Sequence, residues 1–162
     1  MIGYGIYHWR VEGSHVMILL AIAIVASGLF AGAAVYINLV EHPARLSCGT
    51  LLAVRQFGPS YRRATIQQAS LAVIGCAAGS VAGWQQSDTA IVAAAIIFGA
   101  VVPFTLVVIA PTNHRLLDPG LDPNGSEAAA LLQRWGRLHA VRSVLATAAF
   151  VTLIVRALER WR

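Results

Sequence analysis

Apolar residues run through this chain in four long blocks separated by short polar stretches. Val16 to Val40 carries no charge over 25 residues, more than the ~20 a helix needs to cross hydrocarbon. Ala64 to Trp84 is also uncharged, although Gln67, Gln68 and Ser70 interrupt it. Ala90 to Ala110 is strongly apolar and contains Pro103; membrane helices tolerate a proline because neighbours satisfy the freed carbonyl, and a kink is expected there. Leu138 to Leu158 completes the set, with Arg142 and Arg156 near its ends, where each must snorkel or find a partner. The pattern predicts an all-α integral membrane protein, a four-helix bundle with spans at about 16–40, 64–84, 90–110 and 138–158 in a single membrane domain over residues 1–162. The first block follows a mixed segment containing Arg10, Glu12 and His15, so it reads as a retained span and not as a cleaved signal.

The connection from Glu41 to Arg63 is too long for a tight turn. Pro43 stands at a helix-start position ahead of good helix formers from Ala44 to Phe57, which predicts a short interfacial helix between helices one and two. Small residues form stripes: Gly28 and Gly32 on the first span, and Gly75, Gly79 and Gly83 on the second. Such spacing lets helix backbones approach closely, within the chain or across a homo-oligomer.

Composition supports this picture. Hydrophobic residues make up 57% of the 162 residues and charged residues 12%, and the mean hydropathy is +0.68; a soluble domain carries about twice that share of charge. All 12 basic residues are arginines, and they stand at loops and helix ends, a pattern of membrane anchoring and not of nucleic-acid binding. Cys48 and Cys76 fall at different depths and are not expected to pair.

Antiparallel threading brings the end of span one, the start of span two, the end of span three and the start of span four to one membrane face. That face receives Asn38, Glu41, His42, Tyr61, Arg62, Arg63, Pro111, Asn113, His114, Trp135, His139 and Arg142, whereas the other carries the tryptophans Trp9, Trp84 and Trp161 as an aromatic belt with little else. Seven loop arginines (Arg45, Arg55, Arg62, Arg63, Arg115, Arg134, Arg137) lie on the polar face and four (Arg10, Arg156, Arg160, Arg162) on the other, which points the polar face to the cytoplasm.

Trp135, His139 and Arg142 are spaced four and three apart, so they project from one stripe of a helix. The bland alternative is an interfacial tryptophan beside a snorkelling arginine. Ionisable groups within spans are costly, which favours function. Asn38 and Glu41 are three apart, and His42 precedes a proline, which biases it away from helical geometry; a plain polar helix end is the alternative. Asn113 is either a site residue or a cap for the end of helix three. Glu41, His42 and His139 together could hold iron, copper or zinc, though no HxxxH or HxxH spacing occurs. The chain has no CxxC, no matched mid-membrane histidines for haem and no phosphate-binding glycine loop.

The segments GLFAGAAVYINLVEHPAR, PFTLVVIAPTNHRLLD and LLQRWGRLHAVRSVL resemble, in order, motifs of the anthrone oxygenase family of small four-helix membrane proteins. The resemblance covers nearly the whole chain and carries over Glu41, Pro43, Tyr61, Pro111, Asn113, Trp135, His139 and Arg142. It implies oxidation of an apolar polycyclic or phenolic substrate by dioxygen, as characterised members oxidise the central carbon of an anthrone to an anthraquinone. On this implied chemistry His139 is the general base, oriented by Glu41 or Asn113. Arg142 and Asn113 stabilise the anion. Trp135 stacks on the flat ring, and Tyr61, Asn38 and His42 complete the substrate site. No cofactor beyond dioxygen is needed; the alternative is iron or copper on Glu41, His42 and His139. The expected partners are the lipid bilayer and a small aromatic substrate. A rival from another class is a non-catalytic membrane protein that binds or transports a small hydrophobic or cationic ligand, with Glu41 and Arg142 as gating charges.

Overall fold

A computed structural model describes the backbone of residues 3–160 and the side chains of residues 14–160. The first span is built from α1 (Gly3–Tyr36), a π-helical turn (Ile37–Glu41) and α2 (His42–Ser47), running without a break. The second is α3 (Thr50–Gln85). The third comprises α4 (Thr89–Gly99), α5 (Val101–Phe104), a second π turn (Thr105–Ile109) and α6 (Ala110–Leu116), and the fourth is α7 (Ser126–Arg160). Span one packs on two, two on three, three on four and four on one, closing an antiparallel bundle. All four are long and apolar enough to cross a bilayer, and the protein is a multi-pass membrane protein.

The helices extend beyond the apolar blocks, and the first connection is shorter than expected. Residues assigned to an interfacial helix from Ala44 to Phe57 divide between α2 and the first turns of α3. Only Cys48 and Gly49 separate the two, and Gly49 takes φ 88°, a turn conformation open to glycine at little cost. Helix α3 then runs straight through Pro59. His42 is helical (φ −68°, ψ −45°) despite the proline after it, because the preceding π turn has already rearranged the backbone bonding that Pro43 disturbs. Near Pro103 the α-helix is interrupted twice: α4 gives way to α5 at Ala100, and the second π turn follows one residue after Pro103's neighbour Phe104.

Side-chain burial matches a bundle whose solvent is lipid. Leu29, Leu39, Ile66, Val73, Leu106, Val107 and Val144 point outward, while the core is rich in alanine and glycine with Phe30 and Phe98 meeting edge to face. Hydrocarbon supplies no hydrophobic drive for helices to associate, so close approach must supply the packing energy. The second-span stripe does this inside the chain. A Cβ on Gly75 would meet Phe98, one on Gly79 would meet Ala95, and one on Gly83 would stand 2.8 Å from the backbone nitrogen of Val92. Gly28 faces Phe150, whereas Gly32 faces open space. The second-span stripe is therefore occupied within the chain and is not free to join two copies.

At the end opposite the polar residues, one tryptophan of the expected aromatic belt is described, together with a charged cluster. Trp84 is exposed there; Trp9 and Trp161 lie outside the residues whose side chains are described. Asp88 also sits there, buried, its Oδ1 accepting from the backbone N–H groups of Ala90 and Ile91 to cap α4. Its Oδ2 accepts from the guanidiniums of Arg156 and Arg160, tying α7 to the start of α4. Burial alone would raise the carboxyl, but the two guanidiniums and the Ile91 N–H outweigh it and hold its pKa at about 2. A depressed folded-state pKa contributes stability above the ordinary value of 3.8 and loses it as pH falls through about 2. The detergent-solubilised protein is expected to lose melting temperature between those limits, and Asp88→Asn, which keeps the cap, to flatten that slope. Asp88→Ala should cost about 1–2 kcal/mol, mostly the cap, because both arginines remain partly exposed.

Candidate functional site

A cleft lies between the spans at the polar end, with a cavity volume of about 100 Å³ and about 770 Å³ of empty space once its open mouth is counted. Its walls are mainly apolar, from Phe30, Ile37, Val101, Val102 and Ile109, and the polar groups of Tyr61, Gln68, Thr105, Asn113, His139 and Arg142 converge on it.

Two π turns shape this end. A π turn inserts one residue, which rotates the rest of the helix by about 100° relative to a regular one. In span one it lets Asn38 face α7 and, four residues on, buries His42 against Trp135, their ring centroids 5.2 Å apart. In span three it begins at Thr105, whose hydroxyl donates to the Val101 carbonyl and accepts from Arg142.

His139 is buried on α7. Its Nδ1 lies 2.7 Å from Asn38 Oδ1. Asn38 Nδ2 donates to the Gly136 carbonyl, which fixes the amide with its oxygen toward the imidazole. That oxygen also accepts from the Ser143 hydroxyl at 2.6 Å. Since Oδ1 can only accept, His139 must carry its proton on Nδ1. The Nε2 lone pair is thereby left on the side of Arg142, whose Nη2 lies 3.3 Å away. Arg142 also donates to Gln68 Oε1 and to Thr105. Among the described residues no carboxylate pairs with it: its hydrogen-bond partners are neutral, and it lies 5.2 Å from the centre of the Phe30 ring.

Asn113, on α6, is 1% exposed and lines the cleft, yet neither its Oδ1 nor its Nδ2 has a hydrogen-bond partner. It does not cap the helix. A buried polar group left unpaired costs about 1–3 kcal/mol, and this amide stands where a ligand in the cleft would meet it.

Five residues singled out in the sequence therefore line the cleft: Tyr61, Asn113, Trp135, His139 and Arg142. Three do not. Glu41 points to the side of Gln56 and Ser60, where its carboxylate accepts from Arg45, Gln56 and Ser60; it does not orient His139, and Asn38 does. His42 sits behind Trp135, against Gly136. Asn38 does not line this cleft and hydrogen-bonds His139 from behind it. The metal set fails on the same geometry, since among the described residues no three His, Cys, Asp or Glu side chains form a group that could hold an ion. Trp135 does not offer a free face. It stacks on His139 at 4.7 Å, meets Phe57 edge-on and has the Arg45 guanidinium 5.7 Å from a ring centre. His114 is exposed.

Arg45, Gln68, Thr105 and Ser143 were missed. Gln68 had a signal: a polar side chain inside an uncharged apolar block obeys the same cost argument as Arg142.

The sequence profile of the anthrone oxygenase family matches residues 57–152. The curated anthrone oxygenase tpcL of Aspergillus fumigatus is 31% identical over 143 residues, spanning 82% of this chain and 89% of the relative. The chain belongs to the anthrone oxygenase family. The family profile takes in every polar group of the cleft named above, from Tyr61 through Gln68, Thr105 and Asn113 to His139 and Arg142, whereas Asn38 and Glu41 lie outside it. No solved structure matches the chain.

Proposed function

We propose that the protein is a membrane oxygenase that oxidises an apolar polycyclic phenol of the anthrone type with dioxygen, His139 serving as the general base. The observation that carries this is the fixed imidazole: Asn38 and Gly136 set its tautomer, and the Nε2 lone pair stands beside a guanidinium without a carboxylate partner. Family membership supplies the reaction class.

An anthrone has an acidic methylene. His139 Nε2 takes one of its protons, and the electron pair moves into the ring to give a phenolate-like anion. Arg142 pairs with the anionic oxygen and the Asn113 amide donates to it, so the charge develops against groups already in place. Dioxygen adds at the electron-rich carbon, a hydroperoxide forms, and loss of the second methylene hydrogen with cleavage of the O–O bond leaves a carbonyl and releases water. One anthrone and one dioxygen give one anthraquinone and one water, with no external reductant. Tyr61 and the apolar walls hold the ring system, and Trp135 locks the imidazole from its other face. The exposed Arg55, Arg62, Arg63, Arg134 and Arg137 around this end favour a cytoplasmic placement of it.

Purified protein in nanodiscs supplied with anthrone is expected to consume one dioxygen per anthraquinone formed, above the spontaneous rate. Oxygen uptake equal to empty nanodiscs sinks the assignment. Asn113→Leu, close in volume and apolar, is expected to weaken binding of the product anthraquinone about 10-fold, equivalent to about 1.4 kcal/mol. Its melting temperature should stay level or rise, because two unpaired polar atoms are gone; titrated quenching of Trp135 fluorescence and a thermal melt check the two halves.

A further inference from the structure

Every residue that lines the cleft is buried or half-buried except Thr65, Ala69 and Leu106. Thr65 and Ala69 are on α3, and Leu106 is on the π turn of span three, so the mouth lies between spans two and three. The two spans are tight beside it. From Gly75 to Gly83, α3 packs on α4 through Phe98, Ala95 and Val92 at distances that leave no room for a methyl group. Beyond Val101 this small-residue contact ends, Pro103 and the π turn take over, and the helices separate.

The depth of the mouth decides what it opens onto. At 1.5 Å per residue, Leu106 stands about 25 Å along the helix from Thr89, which starts span three. The hydrocarbon layer is about 30 Å thick, so with Thr89 at one edge of that layer the mouth falls inside it, and Leu106 there is 67% exposed. The aqueous side is plugged. A second apolar cluster, which includes Phe57, Leu116, Leu121, Leu132 and Trp135, fills the bundle between the cleft and its loops. Just inside the mouth stand Gln68 and Thr105, both hydrogen-bonded to Arg142.

We propose that the site is loaded sideways from the bilayer through a portal bounded by Thr65, Ala69 and Leu106, and that it selects lipid-dissolved planar aromatics bearing one acidic oxygen. The neutral acid partitions into hydrocarbon and passes the portal. Inside, its oxygen meets Arg142, the one cation of the cleft that no carboxylate balances among the described residues, Arg45 being paired with Glu41. This deepens the reading of the cleft as an oxygenase site, on which it rests, by naming the route and the ligand class.

The test uses the full chain in nanodiscs with Trp9, Trp84 and Trp161 changed to Phe, leaving Trp135 as the reporter in the cleft wall. The probe is 4-bromo-1-naphthol, a short-range quencher dissolved in the lipid, monitored by stopped flow. Thr65→Phe with Ala69→Phe should slow quenching at least 10-fold, whereas Leu106→Ala, a change at a lipid-facing position, should speed it. Leu121→Ala, which thins the aqueous plug, should leave the rate unchanged. A rate indifferent to both mouth variants, or accelerated by Leu121→Ala, overturns the portal. 1-Bromonaphthalene, lacking the oxygen, should bind at least 10-fold more weakly; equal affinity overturns the ligand class. Loss of turnover with intact portal kinetics, or absence of turnover in the parent, bears on the oxygenase reading alone.

Discussion

Replacing His139 with alanine is expected to lower anthrone-dependent oxygen uptake by about 10²–10⁴-fold, the range removed with a general base. The residual rate should come from Arg142 and Asn113, which still stabilise the anion in the absence of a built-in base. Binding of the product anthraquinone should change little, because apolar walls and Arg142 supply the contacts. Asn38→Leu is the companion. It leaves the imidazole in the cleft but removes the acceptor that fixes Nδ1–H, so the wrong tautomer becomes accessible and the rate should fall about 10-fold through kcat with KM unchanged. Oxygen-electrode measurements on matched nanodisc preparations check both, and a His139→Ala rate equal to the parent's removes the base from the mechanism.

That expectation rests on a residue read correctly for its neighbourhood and incorrectly for its partner. The stripe Trp135–His139–Arg142 was legible because helical spacing puts residues four and three apart on one face, whatever the fold around them. Glu41 looked like the orienting acid because a carboxylate near a histidine-bearing end is the simplest pairing to imagine. Its real partner was also in the sequence: Arg45 stands four residues on, within the reach of a helix-surface ion pair, and the pair forms. Asn38 was placed among ligand contacts because nothing local shows which way it turns. Its direction depends on the π turn it sits in and on Gly136, about a hundred residues away.

Helix number and the polar end were legible for a different reason. Bilayer solvation demands uninterrupted apolar runs, so the hydropathy of each block reports the crossing itself. It does not report where the helix stops. Residues 50–63 and 126–137 continue α3 and α7 outside the apolar blocks with mixed surfaces, and these extensions carry Phe57, Tyr61 and Trp135, the upper wall of the cleft. The Asp88–Arg156–Arg160 cluster escaped because its partners are about 70 residues apart in the chain, and only antiparallel closure brings them together.

Arg142 gives the prediction with the sharpest sign. A guanidinium at membrane depth is expensive, and here its partners are an amide, a hydroxyl and an imidazole, none of which returns the Coulomb energy of a carboxylate. If the residue were kept for the fold, replacing it would destabilise the bundle. If it is kept for an anion that comes and goes, Arg142→Met should lower activity about 10²–10³-fold, the usual loss when a donor to a developing oxyanion is removed. The same change should leave the melting temperature level or raise it, since methionine fills the stem's volume without the desolvated charge. Arg142→Lys should recover only part of the rate, because a point charge cannot reach the oxygen while holding both Gln68 and Thr105 in the fork that the guanidinium spans. Differential scanning fluorimetry on the same preparations used for oxygen uptake separates the cases: a destabilised Arg142→Met variant with unaltered kcat/KM makes the arginine a structural tie between spans two, three and four, and the anion site then has no cation.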